Sequence, residues 1–493
     1  MDKKPNVVII MADQLRFDAL GKEYTPHINE LAEESVNFRH AYCASPLCVP
    51  ARGAFFTGKY PNVNGSLINP WEPLDASHAN VKKGIPNLYT MMENDWDSWH
   101  IGKQHLYTEE RIDKNPKSRT KWTYTEKDYD DFMREKNKRK PGGENFRDII
   151  PEMAGGTTTR VKKYSIPTTG RYEESIDYFF DGYFTNGAIN AIKNRDRDKP
   201  LLLNVMMLAP HPPLEIPEPW YSRFKEVELP ENVGVWSKDQ SPLQLYNLPG
   251  IIGTRYRRED WKEVHRVYMG LVSLLDDCVG RIIDALKEEG IYDDTLIIFT
   301  SDHGEMLGSH RLWQKMCMYE ESVRIPLYIK FPKSYSPTVK SVNVPVSAVD
   351  VLPTLCEFLE LNTPADLSGI SLMPLIRGEE IHRKNIFIQY DGNGALGNFQ
   401  RCVISEGYKL IVDMFKDETY LELYNVINDP QERENLAFED KYEDKINNML
   451  ISLRRHMAET GDMLSIAPDI YKEFINKYSP LRRDNNYAKA QKE

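Results

Sequence analysis

The stretch SPLCVPARGAFFTGKYP, Ser45 to Pro61, decides how this 493-residue chain is read. At its centre Cys48 is followed at fixed spacing by Pro50 and Arg52. Proline holds φ at about −65° and has no N–H, so it suits the first turn of a helix, and Cys48 is expected at that helix's mouth. Free backbone N–H groups and the positive end of the helix dipole favour an anion there. Arg52 adds a charge that cannot be lost and a fork matched to tetrahedral oxyanions. Taken alone, the string also fits a buried core cysteine ahead of a helix. The rest of the chain separates the two readings.

Working outward, several apolar runs each end in residues that carry chemistry. Asn6 to Ala12 reads as a buried parallel strand ending at Asp13. DSWHIGKQHLY, Asp97 to Tyr107, reads as a strand ending in Lys103 and His105. Leu201 to Leu208 is a strand delivering Ala209-Pro210-His211-Pro212-Pro213, and Thr295 to Thr300 one delivering Ser301-Asp302-His303-Gly304-Glu305. Open α/β sheets place their ligands at such carboxyl ends. Two carboxylates, Asp13 and Asp302, with His303 as a third ligand beside a reactive group make a site for a hard cation.

Between these strands the spacing predicts helices near Pro26–Glu34, Asn87–Glu93 and Tyr178–Lys193. It predicts a long one over Glu263–Glu289, with apolar residues from Val267 to Leu286 at helical spacing. Val323–Phe331 reads as a strand, and Val349–Leu359 as a helix after Ser347. The alternation implies an α/β fold: a large mixed, mostly parallel sheet covered by helices on both faces. Past about residue 380, Ile386–Tyr390, Arg401–Ser405, Lys409–Met414 and Leu421–Tyr424 read as short strands, followed by a helix over Tyr442–Glu459. This is a small C-terminal antiparallel sheet with a packed helix. The expected division is a catalytic domain over 1–380 and an α+β subdomain over 381–493, as the chain exceeds the size of a single core.

Residues 109–163 differ in character, being polar, broken by Pro and Gly and poor in periodicity, and are expected to form a long insertion loop. Between Arg111 and Lys163 there are 15 Lys or Arg against 9 Asp or Glu, in a chain whose net charge is −11. The insertion is thus either a solvated charged face or a wall that attracts an anionic substrate. The acidic total argues against a nucleic-acid partner. Six scattered cysteines without a CxxC pair argue against a disulfide framework or structural zinc. The run Val7–Ala12 is too short for a signal h-region or membrane span, so a cytoplasmic location without membrane attachment is expected. No motif sets an oligomeric state.

The Cys48-x-Pro-x-Arg52 string, together with Asp13, Lys103-x-His105 and Asp302-His303, resembles the type I sulfatases of the alkaline-phosphatase-like superfamily, from Pro5 to about Leu436. The resemblance implies that Cys48 is oxidised to formylglycine by a formylglycine-generating maturation enzyme that reads the Pro and Arg. It further implies one divalent cation held by Asp13, Gln14, residue 48, Asp302 and His303. Gln14 stands where the family usually has an acid; its neutral carbonyl is accepted more readily by calcium than by magnesium. Ca2+ is therefore expected, with Mn2+ or Mg2+ as alternatives and His303 favouring manganese. Arg52, Lys103 and Lys315 would spread charge on the sulfate oxygens, His211 or Lys315 would protonate the leaving alcohol, and His105 would act as the regenerating base. Gln104 replaces a tryptophan common in the family and is expected to point away from the site.

The implied reaction is hydrolysis of a small anionic sulfate ester, expected to be a sulfated saccharide, with release of sulfate. Asp13-Gln14 with Asp302-His303 is also the pattern of phosphonate monoester and phosphodiester hydrolases and of choline sulfatases in this superfamily. Lys103-x-His105 favours sulfate, because the elimination step needs that base. An inactive saccharide-binding relative would have lost the cysteine, the lysines or the carboxylates, and none is lost. Asn69, Trp313 and Arg401 are candidates for the pocket wall, while His265 and His310 are read as structural.

Overall fold

Asn6–Asp13 forms a strand with every residue buried, as the centre of a doubly covered sheet requires. It runs parallel to Thr295–Ser301 on one side and to Leu201–Pro210 on the other, with Ile9 opposite both Ile298 and Asn204. Beyond Leu201–Pro210 follow Asp97–Gly102 and Lys121–Thr125, both parallel. Beyond Thr295–Ser301 follow Leu327–Lys330 and Val36–Phe38, each antiparallel to its neighbour, and finally Ser341–Val342. The computed structural model describes residues 4–70, 76–154 and 158–484, and among these the large sheet has eight strands. Helices Phe180–Lys193 and Trp261–Glu288 pack on each other and on Leu201–Pro210. Cys48–Thr57 packs against Leu88–Met92 and Val351–Phe358. No described helix is long and apolar enough to cross a membrane.

Local chemistry explains most boundaries. Asn87 caps Leu88–Met92 by accepting from the N–H groups of Tyr89 and Thr90. Ser347 and Asp350 form a capping box ahead of Val351–Phe358. The expected strand Val323–Phe331 is corrected: Pro326 has no N–H to donate and divides it. Arg324–Ile325 pairs with Ala41–Tyr42, while Leu327–Lys330 joins the large sheet.

The insertion is the larger correction, because residues 109–163 are not a structureless loop. Lys121–Thr125 is the edge strand of the large sheet. Thr125 then caps helix Glu126–Glu135, its N–H donating to Asp128 Oδ2 at 2.9 Å. Arg147–Ala154 and Thr158–Ser165 pair as an antiparallel hairpin. An edge strand and a surface helix need only one apolar stripe, here Tyr129 and Met133, so a polar average conceals them.

Asn385–Tyr390, Phe399–Ser405, Tyr408–Phe415 and Glu418–Asn425 form an antiparallel meander, as the sequence indicated. Helix Glu443–Glu459 packs on it through Ile446, Leu450 and Leu453, and a further helix, Ile470–Asp484, reaches Glu418–Asn425. Arg401, a candidate for the pocket wall, borders a small cavity with Tyr60, Phe387 and His456 and is committed to an ion network. It is buried and bonded to Asp391 Oδ1 at 2.6 Å, to both oxygens of Asp462 at 2.5 and 2.8 Å, and to the Tyr390 and Gln400 carbonyls. It thereby ties the sheet to the chain that follows its helix. Arg401→Met leaves two buried carboxylates without their cation, so a loss of about 3–5 kcal/mol is expected. Chemical denaturation checks this; a loss below about 1 kcal/mol would show that the network is not structural.

Candidate active site

Cys48 is the first residue of helix Cys48–Thr57, with Pro50 in its first turn, as the motif predicted. No side chain of the preceding residue caps this helix. Instead Asn69 Oδ1 accepts from the Val49 N–H at 3.3 Å, which places Asn69 beside the cysteine. One turn along, Arg52 is buried with its guanidinium divided three ways. Nε donates to Asp302 Oδ2 at 2.9 Å, one terminal nitrogen to Asp13 Oδ2 at 3.0 Å, and the other to the Lys103 carbonyl at 3.2 Å. Lys103 Nζ also meets Asp13 Oδ2, at 2.7 Å.

Lys103 follows Gly102, whose φ of 94° brings it so close to Met206 that a Cβ would lie 2.0 Å from the Met206 carbonyl oxygen. Gln104 turns its amide to the Leu106 carbonyl. His105, largely buried, has its Nε2 4.0 Å from Glu126 Oε2 at the start of the insertion helix. His211 Nδ1 donates to the Pro212 carbonyl at 2.6 Å. The turn that carries it is held by Asp181, whose Oδ1 accepts from the N–H groups of Leu208 and Ala209 at 2.8 and 3.0 Å.

On the opposite side, the His303 N–H and the Gln14 N–H both donate to Asp302 Oδ1, at 2.9 and 3.1 Å. His303 Nδ1 donates to the Gly304 carbonyl, which leaves Nε2 free to face Cys48 Sγ at 3.1 Å. Gln14 sits at φ 67°, with Tyr268 donating to its carbonyl. Its amide nitrogen donates to Glu305, and its amide oxygen accepts from Lys315 Nζ at 2.5 Å. Gln314 and Met316, either side of Lys315, are also left-handed, at φ 67° and 73°. The Gln314 N–H is bonded to Glu305 Oε1 and the Met316 N–H to the Pro46 carbonyl, so backbone strain is locked in where Lys315 is aimed.

All ten residues singled out by the sequence are thus placed around one buried point. Asp13, Cys48, Asp302 and His303 each offer a ligand atom within 4.8 Å of the others. With the oxygen of Gln14, this donor set of carboxylate, amide and imidazole fits a divalent cation. Charge follows the geometry. Burial pushes Asp13 up, but Lys103, His211, Arg52 and Lys315 outweigh it and hold its carboxyl well below the usual range. Burial and Asp13 push the Cys48 thiol up, and Lys315, Lys103 and His303 together bring it below its ordinary value. His105 and His211 lie well below the usual histidine value, first through burial and then through the neighbouring lysines. Both are neutral near pH 7.

Sequence reasoning missed Glu305, Asp181 and Glu126. Glu305 stood in view two residues after His303, whereas Asp181 and Glu126 begin helices far away and carry no local signal. Trp313, expected near the pocket, is buried with its Nε1–H on the Ser165 carbonyl.

Fixed cations gathered around Cys48, at the carboxyl ends of a covered sheet, suit a hydrolase of tetrahedral anionic esters. Comparison with known proteins narrows the class. A family model described as Sulfatase matches residues 5–361, and one described as N-sulphoglucosamine sulphohydrolase, C-terminal, matches residues 308–459. The chain belongs to the sulfatase family. It is 26% identical over 475 residues to the arylsulfatase of Clostridium perfringens, covering 90% of this chain and 92% of that protein. Against the N-acetylglucosamine-6-O-sulfatase of Bacteroides thetaiotaomicron the identity is 24% over 513 residues, covering 93% and 87%. The fold matches the solved phosphonate monoester hydrolase of Agrobacterium radiobacter with a TM-score of 0.75 at 23% identity, covering 93% of this chain and 96% of that one.

Glu305 accepts the Gln14 amide and the Leu307 and Gln314 N–H groups. Glu305→Ala strips three buried donors of their acceptor, at about 1–3 kcal/mol each. Calorimetry should show a clearly larger fall in thermal midpoint than for Glu305→Gln, which keeps an acceptor; equal falls would contradict this role.

Proposed function

We propose that this chain releases inorganic sulfate from a small sulfated saccharide, with residue 48 as nucleophile after maturation to formylglycine. The observation that carries the reading is the placement of residue 48 at a helix mouth between a cation-binding donor set and the buried Arg52, Lys103 and Lys315. The name of the N-acetylglucosamine-6-O-sulfatase relative supports a saccharide. Free, buried thiols fit a cytoplasmic setting, where a mono- or disaccharide would be the accessible form of the substrate.

Asp13, Gln14, residue 48, Asp302 and His303 would hold the divalent cation, with calcium the expected ion. When bound, that cation supplies Lewis-acid polarisation, and a hydrated formylglycine supplies a hydroxyl nucleophile beside a second hydroxyl. The chain's own groups do the rest. Arg52, Lys103 and Lys315 bind the sulfate oxygens and stabilise charge as it shifts during in-line displacement. His211 or Lys315 hands a proton to the departing alcohol oxygen. His105 accepts a proton from residue 48 at a ring nitrogen, which expels sulfate. Each transfer is worth about 10²–10⁴ in rate. The insertion brings the Glu126 carboxylate within 4.0 Å of the His105 ring.

One observation favours a second reading. A neutral Gln14 where the family usually has an acid is shared with phosphonate monoester hydrolases, whose chemistry needs no base at His105. Stopped-flow assays with an aryl sulfate separate the two. Cys48→Ala should lose more than 99% of turnover, whereas Cys43→Ala should not. His105→Ala should give one equivalent of phenol in a burst and then slow turnover, with sulfate retained on the protein by intact mass. A wild-type kcat/KM higher on the matched phenyl phosphonate ester, with no burst in His105→Ala, would overturn the sulfate assignment.

Chelation should abolish activity of matured enzyme and a divalent cation should restore it. Active protein free of any divalent metal by elemental analysis would refute the cation site.

The pH profile provides an independent check. Burial, Lys103 and Arg52 all depress the His105 pKa, so the ring stays in its base form as pH falls. The kcat/KM profile should therefore run flat through about pH 6.5, the ordinary histidine value, and fall only well below it. An acid limb centred at about 6.5 would remove His105 from the base role.

A further inference from the structure

Away from the catalytic centre, a second group of buried ligand-type atoms gathers where residues 231–237, 309–321 and 431–432 meet. His310, at φ 56°, stacks on Tyr319 with ring centroids 4.0 Å apart and planes within 7°. Its Nδ1 lies 2.9 Å from Ser237 Oγ. The ring is fully buried, and its Nε2 makes no well-formed hydrogen bond among the described residues. That nitrogen faces Glu321 Oε2 at 3.9 Å, an atom equally unpartnered, and the backbone of Gln431 also bears on the ring. Glu432 completes the group, with one ligand atom of each of the three residues within 4.8 Å of the others.

The surroundings orient these atoms and leave them short of positive charge. Asn232 Nδ2 donates to Glu321 Oε1 at 2.6 Å, and the Glu320 N–H donates to Glu432 Oε2 at 2.6 Å. Lys409 Nζ lies between Glu320 Oε1 at 2.7 Å and Glu432 Oε1 at 2.9 Å. Three buried carboxylates, Glu320, Glu321 and Glu432, therefore face two paired cations, Lys409 and Arg324, the latter 3.4 Å from Glu320. Arg16, the next cation, is engaged by Asp18 at 2.7 Å. Such a charge excess is costly unless a proton or a cation removes it.

We infer that His310, Glu321 and Glu432 form a buried structural site for one divalent cation of the zinc or manganese class, separate from the catalytic centre. Imidazole nitrogen and carboxylate oxygen are the ligands such ions take. Ligand atoms around a tetrahedral ion with bonds of about 2.0–2.2 Å stand roughly 3.3–3.6 Å apart, so the 3.9 Å separation closes with a small side-chain shift. The Ser237 hydroxyl, accepting from Nδ1, sets the tautomer that frees Nε2. Bound there, the ion joins three segments distant in sequence, one of them following the C-terminal sheet. Because every ligand is buried, the ion enters as the chain folds and leaves slowly.

The test uses full-length protein expressed in Zn2+-supplemented medium and dialysed against EDTA under native conditions. Elemental analysis should find one more retained zinc per chain in wild type than in either variant below, whatever the catalytic centre retains. His310→Gln and Glu321→Gln should each lose that ion, and anomalous diffraction at the zinc edge should place a peak between His310 Nε2 and Glu321 Oε2. Should His310→Gln fail to fold, Glu321→Gln carries the comparison. Wild type that retains no zinc, no anomalous peak at that position, or equal retention by wild type and variants would each overturn the site.

Discussion

The buried guanidinium of Arg52 is the contact on which the rest of the active centre depends. It joins Asp13, Asp302 and the carbonyl of Lys103, which come from the ends of three different strands. Helix Cys48–Thr57 can therefore dock in only one rotation, the one that presents Cys48 to His303 and to the Asp13 carboxylate. Buried ion pairs add little net stability, because desolvation offsets most of the attraction. The worth of this one lies in placement: a planar fork satisfied on three sides cannot be replaced by a lysine's point charge.

Around that anchor, opposite charges are packed so tightly that each group's protonation is set by its neighbours. The lysines and Arg52 keep Asp13 ionised against the cost of burial, while burial first, and the neighbouring lysines second, keep His105 and His211 neutral. The cluster thus holds ionised oxygens and uncharged imidazoles side by side at one pH. Positioning is supplied by strain held in check by hydrogen bonds. Gln14, Gln314 and Met316 all adopt left-handed backbone within the shell that aims Lys315.

The neutral Gln14 is the chain's main departure from the family pattern, and the structure shows how the departure is accommodated. Its amide bridges Lys315 on one side and Glu305 on the other. The carboxylate absent from position 14 is in effect moved outward to Glu305, where burial raises its pKa and the Leu307, Gln14 and Gln314 donors oppose that rise. The amide oxygen is consequently fixed on Lys315 by the hydrogen bond at its nitrogen. A carboxylate at position 14 would have met Glu305 as a like charge.

Much of the fold was legible in the linear chain, because its signals are local. Continuous apolar runs such as Asn6–Ala12 and Leu201–Leu208 have one stable use, as strands covered on both faces, and proline, asparagine and serine at helix starts act within one turn. Nine of the ten candidate site residues were named from strand ends or the Cys48 motif, whereas Lys315, well past the strand Thr295–Ser301, came from the family resemblance alone. Elements whose burial is one-sided were not legible. The edge strand Lys121–Thr125, helix Glu126–Glu135 and the hairpin after it are mostly polar, and only their packing shows them to be ordered. Long-range pairings were beyond sequence reading for a different reason. Asp181 holding the His211 turn, Glu126 facing His105, Arg401 buried between two aspartates and His310 gathered with Glu321 and Glu432 all join residues tens to hundreds of positions apart. Such contacts exist only once the chain has folded, and no local pattern encodes them. The sequence by itself determined which groups stand at the strand ends; the tertiary structure alone decided which charges touch, because burial and proximity belong to the folded chain.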